Sequence, residues 1–290
     1  MTIPVHQGVA ALVAPYDALL VDLWGVIHDG VAPYPGVVDC LARLRDAGKP
    51  VVILSNAPRR AAHAIARLRA IGVDDGLYAD LITSGDATRQ ELADRTEPFY
   101  AALGRGYYML GKQADADLID GLDYRGVAEL ADADFLLITG PTERSTRLED
   151  YEGLLAEAAR LGLPMVCANP DLVVIRGGVR EPCAGAFAAR YAELGGAVRY
   201  EGKPHPLVYA LCDAALGGLD RRRVLAVGDG LATDIAGAAA AGIDAVLVTG
   251  GLLADAWGTP PDAPPDVKRL AAACSEAGVA PVAAVPSFVW

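Results

Sequence analysis

Positive charge is scarce in this chain. Against 37 acidic side chains its 290 residues set only 25 lysines and arginines, a net charge of −12 with the histidines neutral. Such a field repels phosphodiester backbones and anionic lipid surfaces, so neither a nucleic acid nor a membrane is expected as a partner. Histidine is rarer still, and His6, His28, His63 and His205 stand apart without the spacing of a zinc site. The five cysteines (Cys40, Cys167, Cys183, Cys212 and Cys274) include no CxxC pair; that argues against a zinc ribbon or a dithiol centre and suits a reducing cytoplasm. No lysine or arginine precedes the weakly apolar N-terminal stretch, which runs into Asp17 and Asp22, so no secretory leader is expected. A clean apolar span of about 20 residues is also missing. The longest apolar region, Ile235 to Trp257, is broken by Asp244, Asp255 and several glycines. There is no GxxxxGK[ST] loop, and GDGLAT supplies only two glycines of a dinucleotide fingerprint, which disfavours P-loop NTPase and Rossmann oxidoreductase readings.

Apolar residues, by contrast, make up 53% of the chain and charged ones 21%. That is too hydrophobic for intrinsic disorder, and the length suits one large domain or two modest ones. Short β-branched or leucine-rich runs read as buried strands: Ala18 to Asp22, Pro50 to Leu54, Asp80 to Thr83, Tyr107 to Leu110, Phe135 to Thr139, Pro164 to Ala168, Arg223 to Val227 and Ala245 to Thr249. Helical stretches intervene at Val37 to Ala47, Pro58 to Ile71, Leu148 to Leu161 and Leu207 to Leu216. Strand and helix in alternation predict βαβ units and parallel sheets, hence an α/β fold. The Pro-rich stretch Gly258 to Asp266 reads as a surface turn.

Parallel sheets bind ligands beyond the carboxyl ends of their strands, where the strand order reverses. Polar residues sit at such ends in four places. Asp22 follows ALLV and Asp229 follows RVLAV; a polar stop after a strand accounts for either alone, while the two together would hold a magnesium ion, which prefers hard oxygen ligands and few carboxylates. Ser55 and Asn56 follow VVIL and precede a helix predicted to start at Pro58, so they are either helix-entry caps or part of an anion site with the free amides of that helix. Lys203, between Gly202 and Pro204, is either solvated surface or a cation aimed at a phosphate. Asp234 lies in the first turn of a helix, where the dipole alone explains an acid.

The ordered set VDLWGVIHDG, LSNAP, GKPHP and GDGLATD resembles the haloacid dehalogenase-like phosphohydrolases, class IIA, the branch of the NagD-like and pyridoxal-phosphate phosphatases. The resemblance implies a Rossmannoid parallel-sheet core with an inserted α/β cap domain. The expected boundaries are core at 1–103, cap at 104–182 and core again at 183–290. About 145 residues separate the second motif from GKPHP, far more than a crossover needs. By the same resemblance Asp22 is the nucleophile that becomes an aspartyl-phosphate. Mg2+ is held by Asp22, the Trp24 carbonyl and Asp229; Ser55, Asn56 and Lys203 hold the phosphoryl oxygens, and Asp234 orients the metal waters or Lys203. The implied substrate is a small phosphorylated metabolite, such as a sugar phosphate, a nucleoside monophosphate or a phosphorylated cofactor, and the chain is a monomer or a homodimer.

One position departs from the pattern. The family carries a second aspartate two residues after the nucleophile, as general acid and base, and here Trp24 stands in its place. Loss of such a group costs about a hundredfold to ten-thousandfold in rate. Three outcomes stay open: a slow phosphatase, with His28 or Asp29 as substitutes; a phosphotransferase; or a protein that binds a phosphorylated metabolite without turnover. In the cap, CANPD offers Asn169 and Asp171 as substrate contacts or as an ordinary turn, with Glu143, Arg144 and Arg176 as further contacts.

Overall fold

A computed structural model of the chain describes residues 3–143 and 147–290. The chain opens with β1 (Ala18–Val21), β2 (Val51–Ser55) and β3 (Asp80–Thr83). Four strands follow, β4 (Gly106–Leu110), β5 (Arg125–Val127), β6 (Phe135–Ile138) and β7 (Met165–Cys167). A hairpin of β8 (Val173–Arg176) and β9 (Val179–Pro182) leads to β10 (Val198–Tyr200), β11 (Val224–Gly228), β12 (Asp244–Val248) and β13 (Ala283–Val285). The first sheet has the order β13-β12-β11-β1-β2-β3, all parallel. Its central strands are buried along their whole length, as parallel strands covered on both faces must be.

Alternation along those strands splits the core in two. Leu19, Val21, Ile53 and Val227 pack with Leu41 and Leu44 of helix Val37–Asp46, while Leu20, Val52, Leu54 and Ala226 pack with Val208 and Tyr209 of helix Pro206–Ala215. From β1 the chain adds β2 and β3 on one side. It then returns to build β11, β12 and β13 on the other, so the order reverses between β1 and β11.

The second sheet, β10-β7-β6-β4-β5, is also parallel. One face packs Ile138 and Met165 with Leu155 of helix Glu152–Arg160 and with Phe187 and Tyr191 of helix Ala184–Glu193. The other places Phe135, Leu137 and Val166 against Leu92, Tyr100 and Leu118. The expected cap boundary at Pro182 therefore falls inside this layer. Helix Ala184–Glu193 and β10 complete the second sheet and its core, which runs to Tyr200. The cause is β10 itself: VRY is short and only half-buried, and it pairs with β7 over three residues, leaving no apolar run to read.

The helix predicted from Pro58 begins three residues later, at Ala61. The segment before it bends at Pro58 and Arg59 and packs against the next helix, where the Gly85 amide donates to the Ala57 carbonyl at 3.1 Å. A Cβ on Gly85 would lie 2.5 Å from the Arg59 carbonyl. No helix among the described residues is long and apolar enough to cross a membrane.

Phe187 is fully buried and meets Tyr151 edge-on at 4.9 Å. Phe187→Ala should cost about 3–5 kcal/mol in denaturant unfolding. Hydrogen exchange should show the loss in β4, β6 and β7 while β1 and β11 keep their protection; loss centred on β1 and β11 would return residues 184–200 to the first layer.

Candidate active site

The reversal between β1 and β11 puts two strand ends side by side. Val21 pairs with Val227, the Asp22 amide donates to the Val227 carbonyl at 2.8 Å, and Asp22 and Asp229 emerge next to each other. The turn Leu231–Ile235 brings in Asp234, whose Oδ2 accepts from the Gly230 amide at 3.0 Å. One oxygen from each of the three buried carboxylates lies within 4.8 Å of the others.

Among the described residues a single ammonium enters this cluster. Lys203, 3% exposed, contacts Asp22 Oδ1, reaches Asp234 Oδ1 at 2.7 Å and donates to the Leu54 carbonyl at 2.9 Å. Asn56 clamps the Lys203 backbone through both its amide and its carbonyl: its Oδ1 accepts from the Lys203 amide at 2.7 Å, and its Nδ2 donates to the Lys203 carbonyl at 3.2 Å. The same Nδ2 donates to Asp171 Oδ1 of the second layer at 2.8 Å. Ser55 lies beside them, its Oγ accepting from the Ala57 amide at 3.2 Å.

These side chains line a cavity of about 390 Å³, together with Trp24, Tyr34, the β8 residues Val173 to Ile175, and loop residues Gly250–Leu252 and Gly258–Pro261. A second cavity, of about 370 Å³, carries His28, Arg59, Arg67, Lys112, Asn169 and Arg176. Trp24, Asp171 and Val174 border both.

Burial, with the negative charge of Asp234, raises the Asp22 carboxyl well above its ordinary value in spite of Lys203. The same two causes push Asp229 up to about 7 against the opposing amide of Leu252. Burial works against the Lys203 ammonium, yet Asp22 and Asp234 hold it above its usual range. Three carboxylates facing one ammonium leave room in charge for a divalent cation. Space is available on the cavity side, which Asp22, Asp229 and Asp234 all line, while Gly25 and Gly251 let the Asp229 carboxylate pack close, since a Cβ on either would lie 2.2 or 1.9 Å from its Oδ2. The donor set is all oxygen, as a hard cation requires. Both Asp234 oxygens are already engaged, by Lys203 and by the Gly230 amide, so Asp22 and Asp229 are the carboxylates left for the ion.

The other expected residues are placed differently. At the helix start, the Ala61 amide donates to Asp86 Oδ2 at 2.8 Å and is not free for an anion. Asn169 faces the second cavity, and its Oδ1 accepts from the Asp171 amide at 2.9 Å, closing the loop that carries Asp171. Arg176 stacks over the Trp24 ring at 4.4 Å and pairs with Glu181 at 3.1 Å. Glu143 is exposed at the rim of the second cavity, and Arg144 lies outside the described residues. Neither substitute for the missing acid fits that role. His28 is buried, its Nδ1 accepts from the Gly30 amide at 2.8 Å, and burial with Arg67 lowers it to about 4. Burial opposes ionisation of Asp29, but the Ala32 and Val31 amides on its Oδ1, at 2.9 and 2.8 Å, hold it below its ordinary value.

Tyr34, the hairpin and the Gly250 and Gly258 loops escape a reading of the sequence. Thr249-Gly250-Gly251 follows β12 and obeys the same strand-end rule as Asp22, so a signal was available there. The loop read as a surface turn instead walls the cavity with Gly258, Thr259 and Pro261.

A family profile described as haloacid dehalogenase-like hydrolase matches residues 19–125, and a second, HAD-hydrolase-like, matches residues 200–272. The D-glycerol 3-phosphate phosphatase of Mycobacterium tuberculosis is 32% identical over 82% of this chain, and the match spans 64% of that protein's own length. The ribonucleotide monophosphatase NagD of Escherichia coli is 28% identical over 81% of the chain and 88% of its own. A crystal structure of a haloacid dehalogenase-like hydrolase from Brucella suis superposes with a TM-score of 0.84 at 31% identity, covering 98% of this chain and all of that one.

With no cation bound, the raised carboxyls bind more protons folded than unfolded, so their contribution to stability falls as pH rises from about 4 toward 7. Mg2+ at a hundredfold excess over its Kd should add about 2.7 kcal/mol, a rise in melting temperature on the order of 5–10 °C. The rise should be larger at pH 8 than at pH 5, where protons compete for Asp22 and Asp229. Thermal melts with and without Mg2+ test this, and an increment equal at both pH values would count against the site.

Proposed function

This chain belongs to the haloacid dehalogenase-like hydrolases, and on that footing we propose that it is a magnesium-dependent phosphatase of small phosphomonoesters that works through an aspartyl-phosphate on Asp22. The observation that carries this reading is the meeting of Asp22, Asp229 and Asp234 with Lys203 at the point where the sheet order reverses.

Asp22, Asp229 and the Trp24 carbonyl would hold Mg2+, which when bound offsets the repulsion between carboxylate and phosphate. Lys203 fixes Asp22 through Oδ1 and leaves Oδ2 for attack on phosphorus. The Lys203 ammonium, the Ser55 hydroxyl and the Asn56 loop take the phosphoryl oxygens, supplying positioning and charge, which are most of what phosphoryl transfer asks of a protein. Asp234 acts through Lys203, pairing with the ammonium that also donates to the Leu54 carbonyl.

The leaving group extends toward the second layer, and the cavity sizes limit it to a small metabolite. The two similar phosphatases are named for glycerol phosphate and for ribonucleotides, so kinship alone does not choose the alcohol. That choice falls to the cap, including Arg176 and the β8–β9 hairpin. The five cysteines are all free and buried, which supports a reducing, cytoplasmic setting.

Phosphate release from p-nitrophenyl phosphate with Mg2+ present tests the reading. Asp22→Asn should lower turnover by at least about 10⁴-fold with the melting temperature held, and chelation of the metal should do the same. Turnover that survives in Asp22→Asn would remove the covalent route.

A further inference from the structure

Cleaving an unactivated alkyl phosphate requires a proton for the departing oxygen, and the second half of the reaction requires a base for water. Trp24 can supply neither. Besides Asp22, Asp229, Asp234 and Lys203, the titratable side chains that line the reaction cavity among the described residues are Asp29, Tyr34, Asp171 and Asp255. Asp29 is held ionised by two backbone amides. Tyr34, raised to about 12 by burial and by Asp229, cannot act as a base near neutrality. Asp255 is exposed and paired with Arg180 at 3.7 Å, an ion pair that favours its charged form.

Asp171 is left, and its placement is specific. It borders both cavities, the position that an oxygen linking a phosphoryl group in one to an organic group in the other would occupy. Its Oδ1 is fixed by Asn56 Nδ2, the same amide that holds the Lys203 loop, so the carboxyl is registered to the ammonium across the interface between the two layers. Its backbone is fixed in turn by Asn169.

We infer that Asp171, delivered by the second layer, is the general acid and base of this site, an assignment that rests on the phosphatase reading above. In the first half, Asp22 Oδ2 forms a bond to phosphorus as the bond from phosphorus to the alcohol oxygen breaks. The electron pair goes to that oxygen, which takes the Asp171 proton and leaves as the alcohol. In the second half, the Asp171 carboxylate takes a proton from a water whose oxygen attacks phosphorus. The bond from phosphorus to Asp22 breaks, its electron pair returns to the carboxylate, inorganic phosphate departs and Asp171 is protonated again. Burial raises the Asp171 carboxyl, Lys203 and Asn56 oppose that, and Asp234 adds to it; Asp229 of the core and Cys167 and Cys183 of the second layer complete the titratable groups around it. Because the acid sits on the second layer, a proton is available only when the layers are closed on the substrate.

Asp171→Asn keeps the acceptor for Asn56 and removes the proton. With glycerol 3-phosphate, kcat should fall about 100- to 10,000-fold, and the alkaline decline of wild-type kcat/KM should disappear. With p-nitrophenyl phosphate, whose leaving group needs no proton, a first-turnover burst of nitrophenol should survive, followed by slow release of phosphate. Trp24→Asp combined with Asp171→Asn should recover alkyl ester turnover. If the Asn variant fails to fold, Asp171→Ser carries the same expectations. A raised KM with kcat, pH profile and alkyl-to-aryl ratio unchanged would overturn the assignment and leave a phosphatase in which Asp171 only touches substrate. A wild type silent on both esters would overturn the phosphatase reading, and this assignment with it.

Discussion

The Lys203 ammonium lies buried between the carboxylates of Asp22 and Asp234 and against the Leu54 carbonyl, and much of the molecule is arranged to keep it there. Two acids converge from adjacent parallel strands, a third is turned in by the Leu231–Ile235 turn, and one cation answers them. Removing one partner of a buried pair costs about 3–5 kcal/mol, because the remaining charge is stranded away from water. The strand ends, the turn and the lysine loop are thus mutually required. The surplus of negative charge that persists after Lys203 is counted keeps the cluster from closing as a neutral ion pair and suits it to the cation proposed above.

Asn56 extends that constraint to the second layer. One side-chain amide reads the Lys203 loop through donor and acceptor and also reaches Asp171, so the position of Lys203 and the packing of the two layers are registered to one another. Other contacts across the same interface act in concert. Arg59 pairs with Asp115 at 2.5 Å while Thr139 donates to the other Asp115 oxygen at 2.9 Å. Where the second layer hands over to the first, the Tyr100 hydroxyl donates to the buried Glu201 carboxylate at 2.7 Å, one residue before the loop that bears Lys203. The β8–β9 hairpin adds a backbone bond from the Gly177 amide to the Asp29 carbonyl at 3.2 Å, so it reaches the loop after Trp24.

Trp24 gives the interface its shape. Its ring carries the Arg176 guanidinium on one side and the His28 ring edge-on, and together with Asp171 and Val174 it divides the space between the layers into two cavities. A flat aromatic surface at this point costs the site a proton carrier and supplies a partition. A cation over an aromatic face is worth more as it is desolvated, so the Arg176 stack also ties the hairpin to the first layer.

The sequence by itself determined the class of fold and the chemical character of the site. Runs such as ALLV, VVIL and VLAV have nowhere to go but a sheet covered on both faces, and a polar residue at the end of each is visible without coordinates. Asp22, Ser55, Asn56 and Asp229 were legible in this way, and the magnesium chemistry followed from two of them; Lys203 and Asp234 follow no such run, and only the resemblance of the ordered motifs marked them. The tertiary structure alone decided which strand ends are neighbours, since strand order is not encoded in local periodicity and Asp22 meets Lys203 across 181 residues. It also decided that the second layer runs to Tyr200, because β10 is held by pairing with β7 and not by an apolar pattern of its own. The same holds for Asp171 beside Asn56, for the hairpin over the site and for the Gly258–Pro261 wall: each is placed by contacts between distant segments, and such contacts depend on how the layers pack, which short-range composition does not specify.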